Sequence, residues 1–245
     1  MCYTVNSFLD IRVKSAFVGE NTLKPSRPPI ADTALDQEQI VQAALELLDE
    51  SGLDGLSMRR LADKLGIKAA SLYWHVRDKQ HLMALLADAI VAPAQGPDPS
   101  LPWRPRLEAA AAEYRRILLS HRDAARVLAS SGPPSGPHRL RLTEQYMAAL
   151  LNAGFTPHDT AIVSFVMNDF ITQFVIEEAS FGSFEGESGA FDDAIDEWDR
   201  AIQSGQYPSI AALAPYLMST RPDDRFQFGM QVLLDGLEKR LASTR

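Results

Sequence analysis

The sequence predicts an all-α protein, with an N-terminal three-helix helix-turn-helix domain followed by a larger C-terminal helical domain. Three observations predict it. Ala/Leu-rich stretches recur at helical spacing through most of the 245 residues, while period-two alternation is sparse. Pro/Gly clusters fall between those stretches. Residues 57–79 (SMRRLADKLGIKAASLYWHVRDK) have the layout of two short helices around a turn at Gly66, the second one polar and aromatic.

Element by element, residues 1–34 show no clear period and hold Pro25, Pro28 and Pro29, so a disordered extension is expected. Lys24 and Arg27 could act there as a DNA-holding arm, but a plain tail is the simpler reading. From Asp36, a natural N-cap, Ile40, Ala43, Ala44, Leu47 and Leu48 repeat at helical spacing up to a stop at Gly52. Ser57 caps a second helix with Leu61 and Leu65 inward, and Gly66 supplies the turn. Asp78 caps a longer helix with Leu82, Leu85, Leu86 and Ile90 inward, which ends before a connector at 92–99. Further helices are expected at about 103–129, 138–153, 157–181, 190–204, 208–219 and 222–242. The expected division is 1–34 extension, 35–92 helix-turn-helix domain and 93–245 effector-binding and dimerisation domain.

A hydrophobic fraction of 46% supports a substantial core. The net charge of −8 argues against a chain that coats nucleic acid indiscriminately. The charge is uneven, however. Arg59, Arg60, Lys64, Lys68, Arg77 and Lys79 face only Asp63 and Asp78 in the helix-turn-helix, whereas residues 185–199 are strongly acidic. That pattern suits a protein touching DNA at one end. A lone cysteine, Cys2, excludes an internal disulfide and a cysteine-based zinc cluster. No apolar run nears bilayer length, and the N-terminus lacks signal-peptide character, so a cytoplasmic protein without membrane contact is expected.

Successive helical side chains lie about 100° apart. With Leu72 inward, Val76 and Ala69 share its side, Ala70, Trp74 and Arg77 point away, and Ser71 and Tyr73 flank them. Aromatic, hydroxyl and cationic groups together suit phosphates, sugars and thymine methyls. Ser57 and Lys79 sit at helix starts, where free N–H groups favour a phosphate, and Arg59 is placed to reach a base edge. The competing reading is a helical hairpin whose Trp74 packs inside the chain.

In the second half, residues 159–178 form a wide apolar helix with Ile162, Phe165, Val166, Phe170, Phe174 and Val175. The last helix, with Phe226, Met230, Leu233, Leu234, Leu237 and Leu241, can cover part of it; two such helices from each subunit would make a four-helix dimer interface. Asp169, Gln173 and Glu177 share one face and need water, a neighbouring subunit or a ligand. With Trp103, Tyr114 and Phe165 as walls, they are the candidate effector-binding set. No zinc-binding His pattern, phosphate loop or nucleophile elbow occurs. No catalytic residue, cofactor or metal is therefore expected; the alternative is a helical small-molecule-binding protein or enzyme without operator recognition.

Residues 43–48 (AALELL), 52–57 (GLDGLS), 59–67 (RRLADKLGI) and 71–76 (SLYWHV) followed by Lys79 resemble TetR-type repressors, as do 114–127 and 153–156 more loosely. That resemblance implies a homodimer that binds a palindromic double-stranded operator, represses transcription and is released by a small molecule. It matches Ser57, Arg59, Ser71, Tyr73, Trp74, His75 and Lys79 to DNA-contact positions or their neighbours; Lys68, Ala70 and Arg77 complete the candidate set. Ala69 and Ala70 depart from the family pattern, so no operator sequence is carried over. Against the tetracycline-binding members, Asp169 replaces a metal-binding histidine while Glu177 matches an acidic residue. Leu128, Ala94 and Ala110 replace further polar pocket residues. A larger, more apolar effector, such as a polycyclic antibiotic or other natural product, is implied.

Overall fold

Capping residues start the first, second and fourth helices where the sequence places them. Residues 35–184 and 190–243 are described in a computed structural model, without the side chains of 181–192 and Met218. The expected extension at 1–34, Cys2, Lys24, Arg27 and part of the acidic run lie outside the described residues. Asp36 and Gln39 form a capping box at the start of α1 (Gln37–Gly55), the Asp36 carboxylate accepting from the Gln39 N–H at 2.7 Å. The Ser57 hydroxyl accepts from the Arg60 N–H at the start of α2 (Met58–Lys64). After α3 (Ala69–Leu72), Asp78 accepts from the His81 N–H at 2.7 Å and begins α4 (Lys79–Val91).

Gly52, expected as a stop, is instead a kink with φ of 68° inside α1. The expected helix over 103–129 is two helices, α5 (Trp103–Leu118) and α6 (Ala124–Ser130). Between them the chain turns at Asp123, whose φ of 57° is left-handed and breaks the helical ladder. Then follow α7 (Pro137–Ala153), ended by Gly154 in a left-handed cap, α8 (Pro157–Phe184), α9 (Ala190–Gln203), α10 (Pro208–Ser219) and α11 (Pro222–Ser243).

Ile40, Ala43, Ala44, Leu47 and Leu48 of α1 are buried as expected. Leu65 and Leu85, expected inside, are only half-buried, because each lies at the margin of its short apolar arc. α4 is the shared wall: it packs on α1 on one side and on α5, α6 and α7 on the other. Asp36–Arg245 accordingly forms one compact unit, with no gap in the packing at 92/93. α8 packs on α5, α6 and α7, burying Val163, Met167, Ile171 and Val175. Contrary to the expectation that no apolar run nears bilayer length, Pro157–Ser180 is long and apolar enough to cross one by length and composition, because only a few charges interrupt it.

α11 joins α8 through aromatic and charged contacts. Phe226 stacks on Phe170 at 5.7 Å and meets Phe174 edge-on at 5.2 Å. The Arg115 guanidinium of α5 lies 4.8 Å from the Phe226 ring centre and bonds Glu178 and Asp223. Arg240 donates to the buried carboxylate of Asp159 at 2.6 Å, and Arg104 pairs with Asp235 and Glu238. α9 and α10 pack on each other.

Candidate nucleic-acid interface and effector site

The α2–α3 unit is built by short-range hydrogen bonds around two anchors. The Gly66 N–H donates to the Asp63 carbonyl and the Ile67 N–H to that of Ala62, with Gly66 at φ 67°. The turn therefore needs a residue free to adopt left-handed backbone. α3 is brief: after Leu72 the bonds tighten, the Trp74 N–H donating to the Ser71 carbonyl and that of His75 to Leu72. Leu72 and Val76 are fully buried. Ala69, expected beside them, is exposed, because two apolar side chains suffice to anchor so short an element.

Trp74 is 89% exposed and Tyr73 49% exposed, so the hairpin with an internal Trp74 is not the structure adopted. Ser57, Arg59, Lys68, Ala70, Ser71, Tyr73, Trp74, His75, Arg77 and Lys79 are all exposed. The basic residues divide into two kinds. Arg60 donates to the Gly55 carbonyl at 2.8 Å, and Lys64 bridges Glu50 and Glu46 at 2.8 and 3.3 Å. The hydrogen bond that the Lys64 ammonium donates to Glu50 holds it above its ordinary pKa. Arg59, Lys68, Arg77 and Lys79 have no ion pair among the described residues. Lys79 opens α4, whose free N–H groups and dipole add to the positive field.

This half of the protein matches the model of bacterial regulatory proteins of the tetR family over residues 40–86. Residues 96–241 match the tetracyclin repressor-like C-terminal domain. The chain belongs to the TetR family. Tetracycline repressor protein class A from transposon 1721 of Escherichia coli is 33% identical, across 85% of this chain and 93% of that protein. Apo ActR of Streptomyces coelicolor superposes with a TM-score of 0.74 at 30% identity, covering 88% of this chain and all of that one. ActR has also been solved with actinorhodin. BioQ, solved with its double-stranded DNA operator, superposes with a TM-score of 0.63 at 26% identity, covering 83% and 98% of the two chains. As a TetR-family member, this protein is a ligand-responsive, DNA-binding transcriptional regulator.

The candidate effector residues do not gather at one place. The Tyr114 hydroxyl donates to Asn168 at 3.3 Å between α5 and α8, and burial pushes its pKa up. Trp103 meets Phe155 edge-on at 5.5 Å, at the other end of α5. Phe165 is 70% exposed, Asp169 and Gln173 are exposed, and the exposed Glu177 bonds Arg225 at 2.5 Å. The reason is helical phase: α8 turns Thr172 inward, while 165, 169 and 173 fall on its outer side.

Other interior polar groups went unnoticed in the sequence. The Tyr146 hydroxyl, Gln145 Oε1 and Arg106 Nε are buried with no hydrogen-bond partner among the described residues. Burial raises the Tyr146 pKa and lowers that of the Arg139 guanidinium. The usable signal was a polar residue on the inward arc of α5 or α7, but it requires knowing which arc is inward. Among the described residues no three His, Cys, Asp or Glu side chains gather as a metal site.

Proposed function

We propose that two copies of this chain bind a palindromic operator, one α3 per half-site, and repress transcription until a small molecule is captured. The observation that carries the reading is Trp74, nine-tenths exposed beside Tyr73 on an element anchored by Leu72 and Val76. Such a side chain is covered only when a partner surface arrives. The polar and cationic neighbours Ser57, Arg59, Lys68, Ser71, His75, Arg77 and Lys79 fit a DNA groove. Residues 35–92 are the DNA-reading half and 93–245 the effector and dimer half, a division supported by the separate matches at 40–86 and 96–241.

The dimer forms through the outer side of α8 and α11. Ile162, Phe165 and Val166 on one helix and Phe228 and Val232 on the other are exposed apolar groups. A groove of about 220 Å³ runs between them, lined partly by Leu233 and Leu237. Effector capture among α5, α7 and α8 shifts α4, which α5 and α7 touch, and so changes the separation of the two α3 elements. The effector is an apolar polycyclic natural product rather than magnesium–tetracycline. The protein carries out no catalysis and acts in the cytoplasm.

The test is a protection experiment on the DNA upstream of the gene, repeated with competitor DNA at two salt concentrations. Protection of a two-fold symmetric site, surviving competitor and weakening steeply with salt, is expected. Uniform coating, or no binding, overturns the reading.

A further inference from the structure

The end of α1 is tied to the corner between α5 and α6 by interlocking polar bonds. Asp123 Oδ2 accepts from the Leu53 N–H at 2.8 Å. In return, Asp49 of α1 accepts from the Arg122 N–H at 3.0 Å and meets His121 Nδ1 at 2.9 Å. Arg126 donates to Asp54 at 3.1 and 3.3 Å and to Asp123 at 3.3 Å. Each side thus offers a carboxylate to a backbone N–H of the other.

The backbone is shaped around this contact. The Gly52 kink turns the buried Leu53 out of the regular ladder, and its N–H finds Asp123. A Cβ on Gly52 would lie 2.7 Å from Asp123 Oδ2, so only glycine admits the carboxylate there. Asp123 is itself the one non-glycine residue with positive φ among the described residues. The apolar seam between the DNA-reading half and the rest runs along α4. An apolar seam tolerates a small rotation; a set of short, directed hydrogen bonds at its margin does not.

We propose that Asp123 is a positioning residue that sets which half-site separation the dimer accepts. It acts through the Leu53 N–H, which fixes the tilt of α1, and α1 carries α2 and α3. The straight part of α1 before the Gly52 kink is about 22 Å long, so a tilt of about 5° moves its far end by roughly 2 Å. The two-fold partner doubles that to more than one base-pair step of about 3.4 Å. The inference rests on the operator-binding dimer proposed above.

The experiment uses the full-length protein, the protected site and duplexes with one base pair added or removed at its centre. Affinities are measured by fluorescence anisotropy, with dimer mass and helicity checked in parallel. Wild type is expected to prefer the native spacing by about 30-fold or more. Asp123→Gly removes the acceptor yet adopts the left-handed backbone without strain, and its preference is expected to fall below about 3-fold. Asp123→Asn keeps an acceptor oxygen and tolerates the same backbone, and is expected to stay within about 3-fold of the wild-type preference. Asp49→Ala loosens the corner from the α1 side and carries the same expectation as Asp123→Gly. A folded Asp123→Gly or Asp49→Ala dimer that keeps the full spacing preference overturns the proposal, even if its affinity for every duplex falls equally. A wild type with no preference for the protected site is a different result: it overturns the operator-binding reading itself.

Discussion

At the scale of single residues, Leu72 and Trp74 are two positions apart with opposite duties. Leu72 is fully buried and Trp74 almost fully exposed. Truncating Leu72 leaves a cavity and is expected to cost about 2–5 kcal/mol of stability. Trp74→Ala should change stability by no more than about 0.5 kcal/mol. Its operator affinity should nonetheless fall about tenfold or more, read by melting and anisotropy side by side. Asp159 allows a pH prediction. Its hydrogen bond from Arg240 holds the carboxyl below its ordinary pKa. A depressed folded pKa means stability that is present above the unfolded value of about 3.9 and lost as pH falls through the folded one. The melting temperature should drop on acidification below about pH 4, and Arg240→Gln should shrink that drop. The burial of Leu72 and the exposure of Trp74 were legible because their pattern is local. Phe165, Asp169 and Gln173 lie on the outer side of α8, an outcome set by which arc of a broadly apolar helix packs inward and therefore not legible in the sequence.

At the scale of elements, one clamp holds α4 to α7. Asp88, buried on α4, accepts from the Arg139 N–H at 2.8 Å and meets His138 Nδ1 at 2.9 Å. Gly136, at φ 89°, lets the chain approach: a Cβ there would lie 2.5 Å from the Asp88 carboxyl carbon. Asp88→Ala leaves the start of α7 without its acceptor and is expected to cost about 1–3 kcal/mol in urea unfolding. An unchanged midpoint would show the clamp to be dispensable. The caps at Asp36, Ser57 and Asp78 could be foreseen because donor and acceptor lie three residues apart. The break between α5 and α6 could not, because Asp123 is fixed by Leu53, 70 positions earlier in the chain.

For the whole molecule, the exposed apolar side of α8 and α11 is the feature without an internal explanation. Phe165 and Phe228 are 70% and 69% exposed and belong to the face proposed above to receive a second copy. Phe165→Arg is expected to give folded monomers by sedimentation velocity, with operator affinity reduced about 100-fold or more. Persistence of the dimer would place the interface elsewhere. Soaking with magnesium and tetracycline should produce no tight uptake; tight uptake would reverse the effector assignment. The all-α architecture was plain from periodicity. The single compact unit from Asp36 onward was less so, since the 92–99 connector looks like a boundary while α4 packs across it.

The internal ties of Lys64 have a measurable consequence. That cation is already neutralised by two carboxylates within the fold and displaces no counterion when the duplex docks. A pair of protomers then brings about ten cations to the phosphates rather than about twelve. The logarithm of the association constant should decline against the logarithm of sodium concentration with a gradient of about −9, not about −11.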